Sequence, residues 1–167
     1  SLELPAGRTV IEAVRGTEYE LARQEIDLKP GSAPAEAVLR LKRWTDPRAA
    51  GWYSGDVHVH ANYTAPHHQT VTPEDLALLA SAEDLQVTSL MVANSSGAFL
   101  HDKDYFEGKP YRLSTANALL YFNEEMRNAG LYGHMCLFGL KSLVEPIYTG
   151  FRDTPNWEDY PPNYVQA

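Results

Sequence analysis

The sequence predicts an α/β domain preceded by a small antiparallel β module. Three observations carry this. Residues 1–48 alternate apolar and polar side chains between turn residues, residues 52–93 read as strand, capped helix and strand, and residues 118–140 form two apolar arms around Asn128-Ala129-Gly130.

Within the β module, residues 9–14 are rich in β-branched side chains. Tyr19, Leu21 and Arg23 alternate with polar neighbours before Ile26 and Leu28, Pro30-Gly31 marks a turn, and Ala37, Leu39 and Leu41 alternate again. About three strands result, with Trp44-Thr45-Asp46-Pro47 as the connection to the second domain. Such a sheet is marginally stable alone. It is expected to be completed by further N-terminal strands or to lean on the next domain, and we place the boundaries at 1–48 and 49–167.

In the second part, residues 52–61 form a strand. Thr72-Pro73-Glu74-Asp75 then supplies a hydroxyl cap, proline at the first helical position and acids in the first turn. Leu76, Leu79, Ala80 and Leu85 give the helix its apolar stripe. Residues 87–93 read as a buried strand, parallel to the first because a helix separates them. Residues 94–112 are polar and irregular. Residues 118–126 and 131–140 then read as a hairpin; a helix capped by Ser114 is the alternative for the first arm, and the turn favours the strand.

Composition narrows the function. The 167 residues are 44% hydrophobic and 22% charged, as in a folded soluble domain, and the formal net charge of −8 disfavours nucleic acid and anionic membrane surfaces as partners. No apolar run approaches the roughly 18 residues of a membrane span. The start, Ser1-Leu2-Glu3-Leu4, has neither the basic nor the apolar region of a signal peptide, and its lack of Met fits removal of an upstream segment. The single Cys136 closes no internal disulfide and sits among Met135, Leu137 and Phe138 as a small buried side chain, so a cytoplasmic and a secreted or periplasmic setting are not separated.

All six histidines lie at positions 58, 60, 67, 68, 101 and 134. In Gly55-Asp56-Val57-His58-Val59-His60, strand alternation sends His58 and His60 to one face, about 7 Å apart, and Val57 and Val59 to the other. Two imidazoles at one strand end are half a site for zinc, manganese or iron, and Asp56 on the same face is a ligand or an orienter of an imidazole. The hairpin adds Glu125 directly opposite His134 if the turn has two or four residues; a three-residue turn brings Glu124 there instead. A solvated histidine pair and an ordinary cross-strand ion pair are the plain alternatives.

Other positions are weaker. His67 and His68 belong to a loop, and His101 with Asp102 and Asp104 to a polar segment. Glu83-Asp84 reads as a solvated helix end. Ser95-Ser96-Gly97 lacks the elbow sequence of a nucleophilic serine. Tyr148, Trp157, Tyr160 and Tyr164 form an aromatic tail suited to covering a surface.

The stretch Gly51-Trp52-Tyr53-Ser54-Gly55-Asp56-Val57-His58-Val59-His60 resembles the opening motif of PHP (polymerase and histidinol phosphatase) metallohydrolases, in the CehA/McbA-like branch named after carbaryl and carbofuran hydrolases. Thr72-Pro73-Glu74, Leu131-Tyr132-Gly133-His134-Met135 and Pro5-Ala6-Gly7-Arg8 are similar to that branch as well. The resemblance implies a distorted β/α barrel, present here as its N-terminal portion, with divalent metal ions that activate a hydrolytic water. It matches His58, His60, Glu125 and His134 to metal ligands, and Asp56, Glu125 and His134 form the expected catalytic set. The chain departs from the pattern at Ala93-Asn94-Ser95, where many members carry Asp-His, and at Tyr63-Thr64-Ala65-Pro66, where an acidic turn often stands. After the β module only about 119 residues remain, short of a full barrel.

The expected function is therefore metal-dependent hydrolysis of an ester, carbamate, amide or phosphoester bond in a small-molecule substrate. A complementary C-terminal fragment or a homo-oligomer would complete the site. The alternatives are a non-catalytic binding or assembly module with a vestigial metal site, or one half of a split enzyme.

Overall fold

The computed structural model describes residues 2–62, 70–94, 100–128, 133–145 and 147–149, without the side chains at 94, 128, 148 and 149. It divides into two compact units, Ser1–Trp52 with Ala82–Asp84, and Tyr53–Ser81 with Leu85–Ala167.

In the first unit, β1 (Gly7–Ala13) pairs antiparallel with β2 (Ala22–Leu28), from Gly7 opposite Leu28 to Ala13 opposite Ala22. Alternate residues of both strands, Ile11 and Ile26 among them, are partly covered while their neighbours face solvent. The strand expected at residues 37–41 does not form. A single bridge joins Tyr19 to Arg43 instead, flanked by Glu20 N–H on Lys42 O (2.9 Å) and Trp44 N–H on Glu18 O (3.0 Å). Alternation selects an extended backbone, but pairing forms where side chains lock it. Arg43 is that lock: its guanidinium pairs with Glu18 and Asp84 and lies 4.4 Å from the Tyr19 ring centroid. Of the expected solvated pair Glu83-Asp84, Glu83 is exposed, whereas Asp84 is largely covered. Asp84 also meets Arg15 at 3.1 Å, and burial that would raise its pKa is outweighed by Arg43, which keeps the carboxyl below its ordinary range.

The second unit holds a six-stranded mixed sheet of β3 (Gly55–Val59), β4 (Val87–Asn94), β5 (Leu100–His101), β6 (Leu119–Asn128), β7 (Gly133–Leu137) and β8 (Tyr148–Thr149). Its main path runs β3-β4-β6-β7, with β5 on β4 and β8 on β6. The pairs β3–β4 and β4–β6 are parallel and β6–β7 is antiparallel. The helix α1 (Pro73–Ala82) links β3 to β4, which is the expected β-α-β unit. Gly55 is required at the start of β3, since a Cβ there would lie 2.8 Å from the Val87 carbonyl oxygen.

The start of α1 is set locally. Thr72 Oγ1 accepts from Asp75 N–H (3.2 Å), and Asp75 Oδ2 accepts from Thr72 N–H (2.9 Å) and Thr72 Oγ1 (2.7 Å), a reciprocal capping box. The Thr72 backbone bond, with that from its hydroxyl, holds the Asp75 carboxyl below its ordinary value. Thr72→Ala is expected to cost about 1 kcal/mol, lowering the thermal midpoint by roughly 2–4 °C in a calorimetric scan. The stripe is narrower than expected: Pro73, Leu76 and Ala80 are buried, at positions i, i+3 and i+7, whereas Leu79 faces solvent.

Leu76 packs on Leu90 and Val92 of β4, Leu120 and Phe122 of β6, Tyr111 and Ile147, and this is the core. No α-helix joins β4 to β6 in the described residues of their connection, which holds only a short 3-10 turn at Lys103–Tyr105. Tyr105, Phe106, Tyr111 and Leu113 from that polar stretch cover the sheet instead, with Tyr111 edge-on to Phe122 at 5.0 Å. Ser114, the cap of the alternative helix, accepts from Leu120 N–H and donates to Leu120 O, both at 3.0 Å, as a neighbouring strand would. Among the described residues no helix is long and apolar enough to cross a membrane.

Candidate metal centre

Two irregularities decide which side chains meet. On β3 the register against β4 runs Asp56 with Thr88 and then Val59 with Leu90, so Val57 and His58 together face Ser89. This bulge leaves Val57 63% exposed while Val59, partly buried, packs against the core, so only one of the two valines is turned inward. On the hairpin, Glu125 lies opposite Cys136 and Arg127 opposite His134, a register two residues from the expected one. A shift of two preserves the face. Glu125, Arg127, His134 and Cys136 therefore share one side of the sheet, and Glu124 and Met126 the other.

His58, His60 and Glu125 converge. Glu125 Oε2 is 2.8 Å from His60 Nε2 and 3.3 Å from His58 Nε2, and the two Nε2 atoms are 2.9 Å apart. The Glu125 side chain is 2% exposed, and Oε2 receives no hydrogen bond of acceptable geometry. One carboxylate oxygen and two imidazole nitrogens thus crowd one point, a grouping that a shared N–H or a bound cation satisfies. Tetrahedral coordination at about 2.0–2.1 Å puts ligand atoms about 3.3 Å apart, close to the spacing seen here. The residues present therefore fit a divalent ion. Burial pushes the Glu125 carboxyl up, but the His60 and His58 contacts outweigh it and hold it at about 2.

The other carboxylate oxygen, Oε1, lies 2.5 Å from His134 Nδ1, and His134 Nε2 accepts from Arg127 Nε–H at 3.1 Å. His134 thus stands beside Glu125, outside the group formed by His58, His60 and Glu125 Oε2. Cys136 Sγ is 3.5 Å from His58 Nδ1. Burial first, then the Glu125 charge, keeps that thiol protonated above its ordinary range. Asp56 accepts from His58 N–H at 3.1 Å, so it fixes the bulged backbone and does not enter the cluster.

His101 pairs with Ala93 at the end of β4. Asp102 beside it accepts from Asn62 N–H (3.2 Å) and Asn62 Nδ2 (2.6 Å), which ties β5 to the segment after β3. His67, His68, Ser95-Ser96-Gly97, Tyr63-Thr64-Ala65-Pro66, Trp157, Tyr160 and Tyr164 lie outside the described residues, as do the side chains of Asn94 and Tyr148. Arg127 and Cys136 escaped the sequence reading as site residues. The alternation that places Glu125 inward places Arg127 inward too, so parity along β6 was the available signal. Comparison with protein-family models, with curated proteins and with solved structures finds no match for the chain.

Proposed function

We propose that the second unit is the metal-holding portion of a metal-dependent hydrolase of the PHP type, CehA/McbA-like, acting on an ester, carbamate, amide or phosphoester bond of a small molecule. The observation that carries this is Glu125 Oε2, buried, without a hydrogen-bond donor and facing two imidazole Nε2 atoms. His58, His60 and Glu125 would hold the ion. A divalent cation there supplies Lewis acidity, lowering the pKa of a coordinated water to about 7 and polarising a substrate oxygen.

The chain's own residues do the rest. Asp56 and Cys136 fix the backbone and ring of His58. His58 and His134 remain 41% and 49% exposed, which leaves the cluster open to a substrate. The resemblance in residues 51–60 and 131–135 supports the hydrolase class, and the partial barrel is part of the same proposal. Protein purified without chelator is expected to carry about one or more transition-metal ions per chain and to lose hydrolysis on His58→Ala. Metal content far below one per chain, with hydrolysis unchanged in the variant, would overturn the reading.

A further inference from the structure

We infer that residues 138–144, between β7 and β8, form a separate binding site that holds a phosphate group on the N–H groups and side chains of Lys141 and Ser142. The inference goes beyond the metal-site reading and does not depend on it.

The segment is pinned along its length. Near its start, Gly139 N–H donates to Asn123 Oδ1 at 2.7 Å, and at its end Val144 N–H donates to Glu124 Oε2 at 2.7 Å. Between them, Leu140 O accepts from the Tyr121 hydroxyl at 2.9 Å. Lys141 O lies against Gly108, where φ is +67° and a Cβ would stand 2.2 Å from that oxygen. Strand β6 thus grips both ends, and the middle rests on a position that only glycine fits.

Those contacts fix the direction of each peptide. In a trans peptide the N–H is antiparallel to the carbonyl, so turning the Leu140 and Lys141 carbonyls inward turns the Lys141 and Ser142 N–H groups outward. The end peptides are reversed. With the Gly139 and Val144 N–H groups bound inward, the Phe138 and Leu143 carbonyls turn out. Donors are therefore gathered at the centre of the segment, where Lys141 is its one charged residue.

Among the described residues, neither Lys141 nor Ser142 has a hydrogen bond or ion pair at its N–H or its side chain. Successive outward N–H groups form a nest that takes anions, and an ammonium and a hydroxyl beside them supply further donors suited to phosphate oxygens. Residues 138–144 line a concavity of about 490 Å³, within the range of small-molecule sites. Phe138 is exposed on its wall, which suits an apolar body attached to the phosphate.

The test follows ¹H–¹⁵N amide shifts of the purified chain, with inorganic phosphate and phenylphosphonate as probes. The C–P bond of the second resists hydrolysis. Both probes should saturate and move the Lys141 and Ser142 amide protons downfield together. The phosphonate is expected to bind up to about tenfold more tightly through Phe138. Equal affinities would support the site with free phosphate as its ligand. Lys141→Ala should weaken both probes by about tenfold or more, as loss of a charge-assisted hydrogen bond does. Lys42→Ala, which removes another exposed lysine, should change neither. Gly108→Ala keeps the Lys141 charge and displaces its carbonyl, so it should weaken binding as well, and the same spectrum reports whether its fold survives. No saturable shift at Lys141 and Ser142, or equal weakening by Lys141→Ala and Lys42→Ala, would overturn the inference. Phosphate taken up at a metal centre instead would move the amides of His58, His60 and Glu125 and leave those of Lys141 and Ser142 in place, so the two readings fail separately.

Discussion

Glu125→Gln is expected to abolish tight binding of a divalent transition metal, raising the dissociation constant by more than the roughly 100-fold that loss of an outer partner costs. Glu125 is the one anion among the three converging groups, and its Oε2 has no other partner. The amide that replaces it is neutral. It can still hydrogen-bond an imidazole nitrogen, so the metal-free fold should survive.

Linkage supplies a second readout. An ion at 100 times its dissociation constant stabilises the wild type by about 2.7 kcal/mol, or roughly 5–10 °C in thermal midpoint for a chain of this length. The variant should show no such shift. A retained shift would place the metal elsewhere and sink the assignment of Glu125, His58 and His60.

The second large effect concerns Glu124, one residue away and on the opposite face. It is wholly buried beside Val92. Oε2 accepts from Val144 N–H at 2.7 Å, and Oε1 has no partner. Burial, only partly offset by the Val144 bond, raises its pKa from 4.5 to about 7. A group raised in the folded state contributes fully below its unfolded pKa, and its contribution is lost as pH rises through the folded one. The wild type should therefore lose about 3 kcal/mol of stability between about pH 4.5 and 7, at about 1.36 kcal/mol per unit, and change little from this group above that.

Glu124→Gln keeps the acceptor for Val144 and cannot ionise, so its stability relative to wild type should rise across that window. The unpaired amide donors subtract about 1–3 kcal/mol at every pH and leave the slope difference intact. Urea unfolding at pH 4.5, 6 and 8 measures this. Parallel pH profiles for the two proteins would show that Glu124 ionises in the fold at no cost.

The parts of this fold that could be read in advance are those set by near neighbours. Thr72 and Asp75 satisfy each other within one turn, so the helix start is as written. The faces of His58, His60, Glu125 and His134 follow from a period of two, and survive a two-residue error in hairpin register because such an error preserves parity.

What could not be read depends on distant partners. Residues 37–41 alternate as a strand should, yet pairing stops at the Tyr19–Arg43 bridge, where Glu18 and Asp84 hold the arginine. Asp56 leaves the histidine face because β3 slips against β4, which nothing in residues 55–60 announces. Leu79 is as apolar as Leu76, and only the position of the sheet decides which is covered.

The adjacent glutamates of β6 bear on how the strand finds its place during folding. If β6 slipped by one residue, Glu124 and Glu125 would simply exchange faces, one carboxyl still reaching the histidines and the other still entering the core. The glutamate pair therefore tolerates the error and offers no protection against it. Protection falls to their neighbours: the same slip would drive Tyr121 and Asn123 into the space of Phe122 and Glu124, taking a phenol from Leu140 O and an amide from Ser89 and burying both without those partners. Fidelity of assembly in this strand thus resides in residues beside the site, while the residues most needed for chemistry are the ones a misfolded copy could still present.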